Sequence, residues 1–166
     1  MDFICIFLFI VELIILYMII NILFTPTRED FQITEEEPKL KQLQSSLNPM
    51  FQEDVDYSKT ILENIMTMQT RKKILNEISL STGNKSYTIN KENIYLCLKD
   101  ENNQYYEDNM LKYVLLHEIS HSVCDEIGHT AKFNEIFKAL LDKAVEMKIY
   151  DPTIPIIKNY CLYNDK

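Results

Sequence analysis

Residues 117–129, in the C-terminal third of the chain, contain all three of its histidines. The stretch opens with the pattern His-Glu-x-x-His, and a third histidine follows eight residues after the second. Because residues i and i+4 of a helix lie one turn apart on the same face, His117 and His121 can direct two ring nitrogens at one metal ion. This spacing on a helix is typical of a zinc ligand pair.

Two further features of the stretch indicate a catalytic site. Glu118 follows the first histidine directly, where a carboxylate can accept a proton from a water molecule that the metal activates. Gly128 can end the helix and turn the chain so that His129 returns towards the metal as third ligand. The fourth position then stays open for water and substrate. The sequence therefore predicts Zn²⁺ as cofactor, held by His117, His121 and His129, with Glu118 as catalytic base.

Composition limits the classes of function. The chain of 166 residues has room for one compact domain and an appendage, and it carries 17 basic against 25 acidic side chains, a net charge of −8. Nucleic acid is not expected as a partner, because its binding depends mainly on lysine and arginine contacts. The four cysteines form neither a Cys-x-x-Cys pair nor a dense framework, so a disulfide-stapled fold is not expected. Cys124, three residues after His121, is interpreted as a packed thiol, with a zinc ligand or redox-sensitive thiol as the alternatives.

The N-terminus is predicted to be a transmembrane anchor, at residues 1–24. Residues 3–24 are almost entirely apolar and would span about 33 Å as a helix, enough to cross the hydrocarbon layer. The segment lacks the basic start and small residues of a cleaved signal peptide, which favours a retained single-pass helix in a virion or host internal membrane. Glu12 either has a partner or is simply tolerated there in its protonated form. Arg28, the nearest basic residue, places the C-terminal domain in the cytosol.

The remaining chain predicts an α+β domain behind a stalk. Residues 25–56 are interpreted as a linker, with a short helix at residues 39–47, and residues 57–166 as a zincin-like domain. Helical periodicity marks residues 58–70, and alternation marks three short antiparallel strands at residues 73–80, 86–89 and 94–98. These strands are expected to pack on an active-site helix that starts near Asp108 and on a C-terminal helix that Thr130 caps. Residues 94–98 are either an edge that pairs with an extended substrate or an ordinary core strand.

The stretch from His117 to Phe133 resembles the zinc-dependent peptidases of the WLM and SprT-like group. That group reads His-Glu-x-x-His, a variable gap and then Gly/Pro-His-x-x-x-Phe, matched here by His117, Glu118, His121, Gly128, His129 and Phe133. Residues 95–100 and 113–116 also look like small WLM-like metallopeptidases of large DNA viruses. The resemblance covers about residues 58–160 and implies peptide hydrolysis, with DNA–protein crosslinks as the substrate of some members. The acidic composition does not fit that substrate.

The pattern leaves the third ligand with alternatives. His129 ranks first, followed by Glu135 on the next helix, where a gluzincin places its acidic ligand, and then by Asp125, one turn beyond His121. Three tyrosines of the C-terminal region are candidates to donate a hydrogen bond to an oxyanion, namely Tyr150, Tyr160 and Tyr163.

Two functions of different classes fit these features. The first is a membrane-anchored zinc endopeptidase, whose partners are a protein or peptide substrate and the membrane that residues 3–24 enter. The second is a non-catalytic, zinc-stabilised structural or scaffold protein of a membrane or viral assembly. A fourth ligand from the protein, for instance Cys124, would favour the second function, and an open position would favour the first.

Overall fold

The computed structural model describes residues 37–161, and the predicted membrane anchor lies outside this range, as do Glu12 and Tyr163. Within that range no helix has the length and apolar content needed to cross a bilayer. The described residues form an α+β fold, as the sequence predicts. The α-helices are α1 (Pro38–Leu47), α2 (Met68–Asn76), α3 (Asp108–Val123) and α4 (Ala131–Glu146). The strands are β1 (Ser79–Thr82), β2 (Tyr87–Ile89) and β3 (Asn93–Leu96), and a 3-10 helix spans Asn48–Phe51.

Helix α1 and the 3-10 helix belong to the folded domain. The short helix was expected, but its place in a linker was wrong. The apolar side chains of the two elements are buried in the main hydrophobic core, namely Leu40, Leu43, Leu47, Met50 and Phe51. The stalk predicted at residues 25–56 therefore does not extend through residues 38–51.

The segment before α2 is made of turns, where the periodicity predicted a helix at residues 58–70. Side-chain oxygens there compete with a helical backbone, because Thr60 Oγ1 donates to the carbonyl of Tyr57 and accepts from the amide of Leu62. The helix starts only where Thr67 caps it by accepting from the amide of Thr70 at 3.2 Å. Helix α2 consequently occupies the first half of the strand predicted at residues 73–80, and β1 begins only at Ser79.

The sheet is mixed rather than antiparallel. Its strand order is β1-β3-β2, with β1 parallel and β2 antiparallel to β3. Strand β3 is therefore central, and Ile94 and Leu96 are completely buried. The interpretation of residues 94–98 as a substrate-pairing edge is wrong, and the alternative of a core strand is correct.

The two helices that frame the histidines are confirmed. Helix α3 begins next to Glu107, which makes no side-chain capping bond. Helix α4 begins after Thr130, whose Oγ1 accepts from the amide of Phe133 at 3.2 Å. Their buried residues follow the predicted stripes and include Leu111, Val114, Leu115, Ile119, Phe133, Ile136, Leu140 and Ala144.

The described residues include a disulfide that was not predicted from the sequence. It joins Cys97, directly after β3, to Cys161 in the tail, with their Cα atoms 6.2 Å apart. The pair is separated by 64 residues, so no local pattern indicates it. Cys124 is free and completely buried, which confirms its interpretation as a packed thiol.

The burial of α1 can be tested by substitution in the full chain. We expect Leu43→Ala to lower the free energy of unfolding by about 2–5 kcal/mol, because it removes a side chain that is 1% exposed. Ser45→Ala, at an exposed position of the same helix, is the control and should change it by less than about 0.5 kcal/mol. Denaturant unfolding in detergent measures both. Equal effects would mean that α1 is a stalk after all.

A second test concerns Tyr57, which is 3% exposed and donates to the carbonyl of Met50 at 2.6 Å. Burial raises the pKa of Tyr57 to about 12, against the opposing effect of Arg71. The unfolded chain ionises near its ordinary pKa of about 10, so wild-type stability should fall as the pH rises from 10 to 12. Tyr57→Phe should cost about 1 kcal/mol at pH 8 and flatten this alkaline fall. If the free energy of unfolding falls equally with pH in the wild type and in Tyr57→Phe up to pH 12, the burial argument is contradicted.

Candidate metal centre

Helix α3 presents His117 and His121 on successive turns and then ends at Val123. Lys91 Nζ donates to the carbonyl of Cys124 at 2.6 Å, which satisfies a terminal acceptor and places a positive charge at the negative end of the helix dipole. The expectation that Gly128 ends the helix is wrong, because the helix stops five residues earlier. Gly128 instead turns the loop immediately before the third histidine, with a φ of +83° that favours glycine.

The three histidine rings converge. His129 Nε2 lies 3.0 Å from His117 Nε2 and 3.2 Å from His121 Nε2, and one ligand nitrogen from each ring falls within 4.8 Å of the others. Nitrogens bound to one tetrahedral zinc ion at 2.0–2.1 Å are about 3.3–3.4 Å apart. The spacing is therefore close to that of three ligands of one ion, and imidazole is a donor that zinc prefers. These three side chains are near enough to hold a metal ion.

The alternative third ligands lie elsewhere. The Asp125 side chain is 72% exposed and pairs with Lys132 Nζ at 2.7 Å, across the loop from α3 to α4. Glu135 lines an open groove between α4 and residues 56–61. Among residues 37–161, no cysteine, aspartate or glutamate joins the histidine group. Cys124 is consequently not a fourth ligand in this arrangement.

Phe133 orients all three imidazoles. Its ring is 1% exposed and stacks on His121 with a centroid distance of 4.2 Å. It contacts His117 and His129 edge-on at 5.0 and 4.9 Å. Because Phe133 is one of the first residues of α4, this contact fixes the second helix and the histidine cluster together. The phenylalanine of the Gly-His-x-x-x-Phe pattern therefore packs the three imidazoles against the start of α4.

Glu118 is buried beside the cluster, with 5% of its surface exposed. Its Oε2 accepts a hydrogen bond of 2.8 Å from Thr88 Oγ1, on strand β2. Burial raises the pKa of this carboxyl, and the Thr88 bond partly opposes the rise. Thr88 was missed by sequence reasoning, since it lies 30 residues away from Glu118 and belongs to no motif.

Burial also acts on the histidines. Desolvation lowers the pKa of His117 to about 4, with smaller contributions from His121 and His129. The pKa of His121 is lowered by burial and then by His129. Both rings are therefore neutral at pH 7, which is the form that binds metal.

Two of the three candidate oxyanion donors, Tyr150 and Tyr160, belong to the described residues, and Tyr160 lines the same cavity as His117 and Glu118. Tyr150 is buried and its ring centroid lies 6.0 Å from that of Tyr113. The Tyr160 hydroxyl donates to the carbonyl of Cys97 and lies 3.1 Å from Ser86 Oγ. The hydroxyl of Tyr160 is thus bonded to groups at the end of the sheet.

The chain is similar to proteins of large DNA viruses. It is 51% identical over 100 residues to the uncharacterized protein 136R of Invertebrate iridescent virus 6, covering 58% of this chain and 56% of that protein. It is 45% identical over 89 residues to the uncharacterized protein 042R of Invertebrate iridescent virus 3, covering 53% and 56%. Identity to the uncharacterized protein R325 of Acanthamoeba polyphaga mimivirus is 37% over 67 residues, covering 39% and 34%.

The chain spans about half the length of the two iridescent virus relatives and a third of the mimivirus one. No family model matches the sequence, and no solved structure matches the fold. A viral origin agrees with these similarities.

Metal binding can be tested on the full chain with a competing chromogenic chelator. We expect about one Zn²⁺ per chain, and each of His117→Ala, His121→Ala and His129→Ala should lower the affinity by more than about 100-fold, because even the loss of a residue that only supports a ligand costs 10- to 100-fold. The matched controls are Asp125→Asn and Glu135→Gln, which should keep wild-type affinity. If Glu135→Gln loses the metal and His129→Ala keeps it, the third ligand is misassigned.

Proposed function

We propose that the chain is a zinc-dependent endopeptidase anchored in a membrane. The observation that supports this best is the convergence of three imidazoles, those of His117, His121 and His129, with the buried Glu118 lining the same cavity as His117. Three protein ligands with no fourth among the described residues is the pattern of catalytic zinc sites, whereas structural sites use four. This favours the enzyme over the zinc-stabilised structural protein.

The proposed chemistry divides between the metal and one carboxylate. A zinc ion on the three histidines would supply a Lewis acid that polarises a peptide carbonyl and lowers the pKa of water. Glu118 would accept the proton of the attacking water and pass it to the leaving amine. Burial raises the pKa of Glu118, which makes its carboxylate a better proton acceptor. Thr88 holds the carboxylate in one orientation through its bond to Oε2.

Strand β2 is the edge at which an extended substrate would bind. It pairs with β3 on one side only, among the described residues. Thr88 points to Glu118, while the flanking Tyr87 and Ile89 are 42% and 43% exposed. A peptide added alongside β2 would therefore run past the catalytic carboxylate, with main-chain hydrogen bonds supplying affinity. The substrate-pairing edge that was predicted at residues 94–98 is therefore proposed at β2 instead.

The cellular setting of the proposal rests on composition and on the apolar N-terminus. Residues 3–24 would fix the domain to a virion or host internal membrane, so the substrate would be a protein in or close to that membrane. The net charge of −8 argues against nucleic acid as a ligand, because phosphate contacts need basic side chains.

Glu118→Gln tests the proposed base. We expect this variant to bind zinc like the wild type and to lose peptide hydrolysis by about 100-fold or more, because the amide cannot accept the proton. Glu126→Gln, which removes an exposed carboxylate from the adjoining loop, is the matched control and should keep full activity. Digestion of a peptide library by the zinc-loaded full chain, read by mass spectrometry, gives both rates.

Two results would overturn the proposal in different ways. Unchanged hydrolysis in Glu118→Gln would remove Glu118 from the mechanism. If the wild type cleaves nothing and the removal of zinc unfolds it, the metal has a structural role and the scaffold function holds.

A further inference from the structure

A cavity of 360 Å³ adjoins the predicted catalytic base. One of its walls is a single face of α3, which carries Met110, Tyr113, Val114, His117 and Glu118. The volume is at the lower end of the range of about 300–1,000 Å³ for small-molecule pockets. It therefore suits one large side chain of a bound peptide.

The opposite wall comes from the tail of the chain. Tyr160 and Cys161 line the cavity there, together with Lys85 and Ser86 just before β2. The Tyr160 hydroxyl donates to the Cys97 carbonyl and lies 3.1 Å from Ser86 Oγ, which in turn accepts from the Cys97 amide at 3.0 Å. These bonds hold the tail against the end of the sheet.

The disulfide makes this attachment covalent. It joins Cys161 of the wall to Cys97 at the end of β3. The Cys161 amide also donates to the Tyr106 hydroxyl at 3.2 Å, and the rings of Tyr106 and Tyr160 pack with centroids 4.8 Å apart. No helix or strand includes residues 147–161, so the wall depends on these few contacts.

We propose that this cavity selects a large apolar side chain next to the scissile bond, and that the Cys97–Cys161 disulfide holds it in its selective shape. The inference rests on the proposed peptidase function and names its substrate class. Met110, Tyr113 and Val114 supply apolar contacts, so leucine, methionine or phenylalanine gains by entering. Lys85, which also lines the cavity, repels a basic side chain.

Reduction should then relax substrate selection without touching the metal ligands. A trialkylphosphine carries out this step in water: the disulfide takes up two electrons and two protons to give the Cys97 and Cys161 thiols, and the phosphine takes the oxygen of water to become its oxide. The tail wall keeps its hydrogen bonds but loses its covalent tie. The site at the histidines is built from α3 and α4 and keeps its own contacts.

The test measures binding rather than turnover. The probe is a pair of fluorescein-labelled hexapeptides of glycine and alanine that differ in one central residue, leucine or lysine. The protein is the zinc-loaded full chain carrying Glu118→Gln, so that no cleavage intervenes. Fluorescence anisotropy should show that the leucine peptide binds about tenfold or more tightly than the lysine peptide. Phosphine treatment should reduce this preference to threefold or less, and reoxidation should restore it.

Three variants serve as controls. In Cys97→Ala/Cys161→Ala the preference should already be low, and phosphine should have no further effect. Cys124→Ala should respond to phosphine like the parent, because Cys124 is free. Tyr160→Phe keeps the disulfide and the ring but loses the hydroxyl bonds, so it should lower the preference partway even if the double variant folds poorly. Zinc content and circular dichroism are recorded for each.

The outcomes separate the inference from the proposed function. An equal affinity for both peptides, or a preference that survives reduction, overturns the selective cavity and its dependence on the disulfide. If the leucine peptide binds preferentially but the wild type does not cleave it, the selective cavity is supported and the peptidase function is contradicted. If the wild type cleaves both peptides at the same rate, the peptidase function is supported, but the cavity does not determine its specificity.

Discussion

The Nε2 atom of His129 lies 3.0 Å from that of His117 and 3.2 Å from that of His121, a packing that is favourable only while His117 and His121 are largely uncharged. Burial supplies this condition, since it lowers the pKa of His117 to about 4 and also lowers that of His121. The same burial has the opposite effect on Glu118, whose pKa is raised. One desolvated helix face thus keeps His117 and His121 in the neutral form that binds metal ions, and it raises the pKa of the neighbouring Glu118 carboxyl.

The rest of the fold keeps that face rigid. Helix α3 packs between the sheet and α4, and each neighbour contributes one contact to the centre. From α4, Phe133 packs against all three imidazoles. From the sheet, Thr88 bonds the Glu118 carboxylate. For the proposed peptidase such supporting contacts matter, because a shift of about 1 Å in a catalytic group can cost two orders of magnitude in rate.

The local features of this site were readable from the sequence, and the long-range ones were not. The spacing of His117 and His121 specifies one helix face, and the apolar stripes of α3 and α4 have a 3.6-residue period that only a helix satisfies. His129 could be ranked first among third ligands, although only the fold brings it to the other two. The role predicted for Gly128 was wrong, because α3 already ends at Val123. Gly128 lies in a turn of the loop that follows.

Most of the errors share one cause, which is pairing between residues far apart in the chain, whereas the error at residues 58–66 is local. Strand β3 lies between β1 and β2, an order that alternation within each strand cannot reveal. Leu43 has the same local pattern in a solvated stalk helix as in a buried one, and only its contact with the core decides. Periodicity also misled at residues 58–66, where the side chain of Thr60 stabilises turns. The Cys97–Cys161 bond spans 64 residues and follows no spacing rule.

That disulfide also bears on the compartment. Disulfides persist in oxidising environments and are rare in the cytosol. The cytosolic placement of the domain rested on Arg28, whereas the charge rule gains its force from several basic residues close to a membrane helix. A covalent bond that ties the tail to the sheet is the stronger of the two signals. For the proposed membrane-anchored peptidase, the disulfide favours a setting on the oxidising side of the membrane, where the bond between Cys97 and Cys161 would persist.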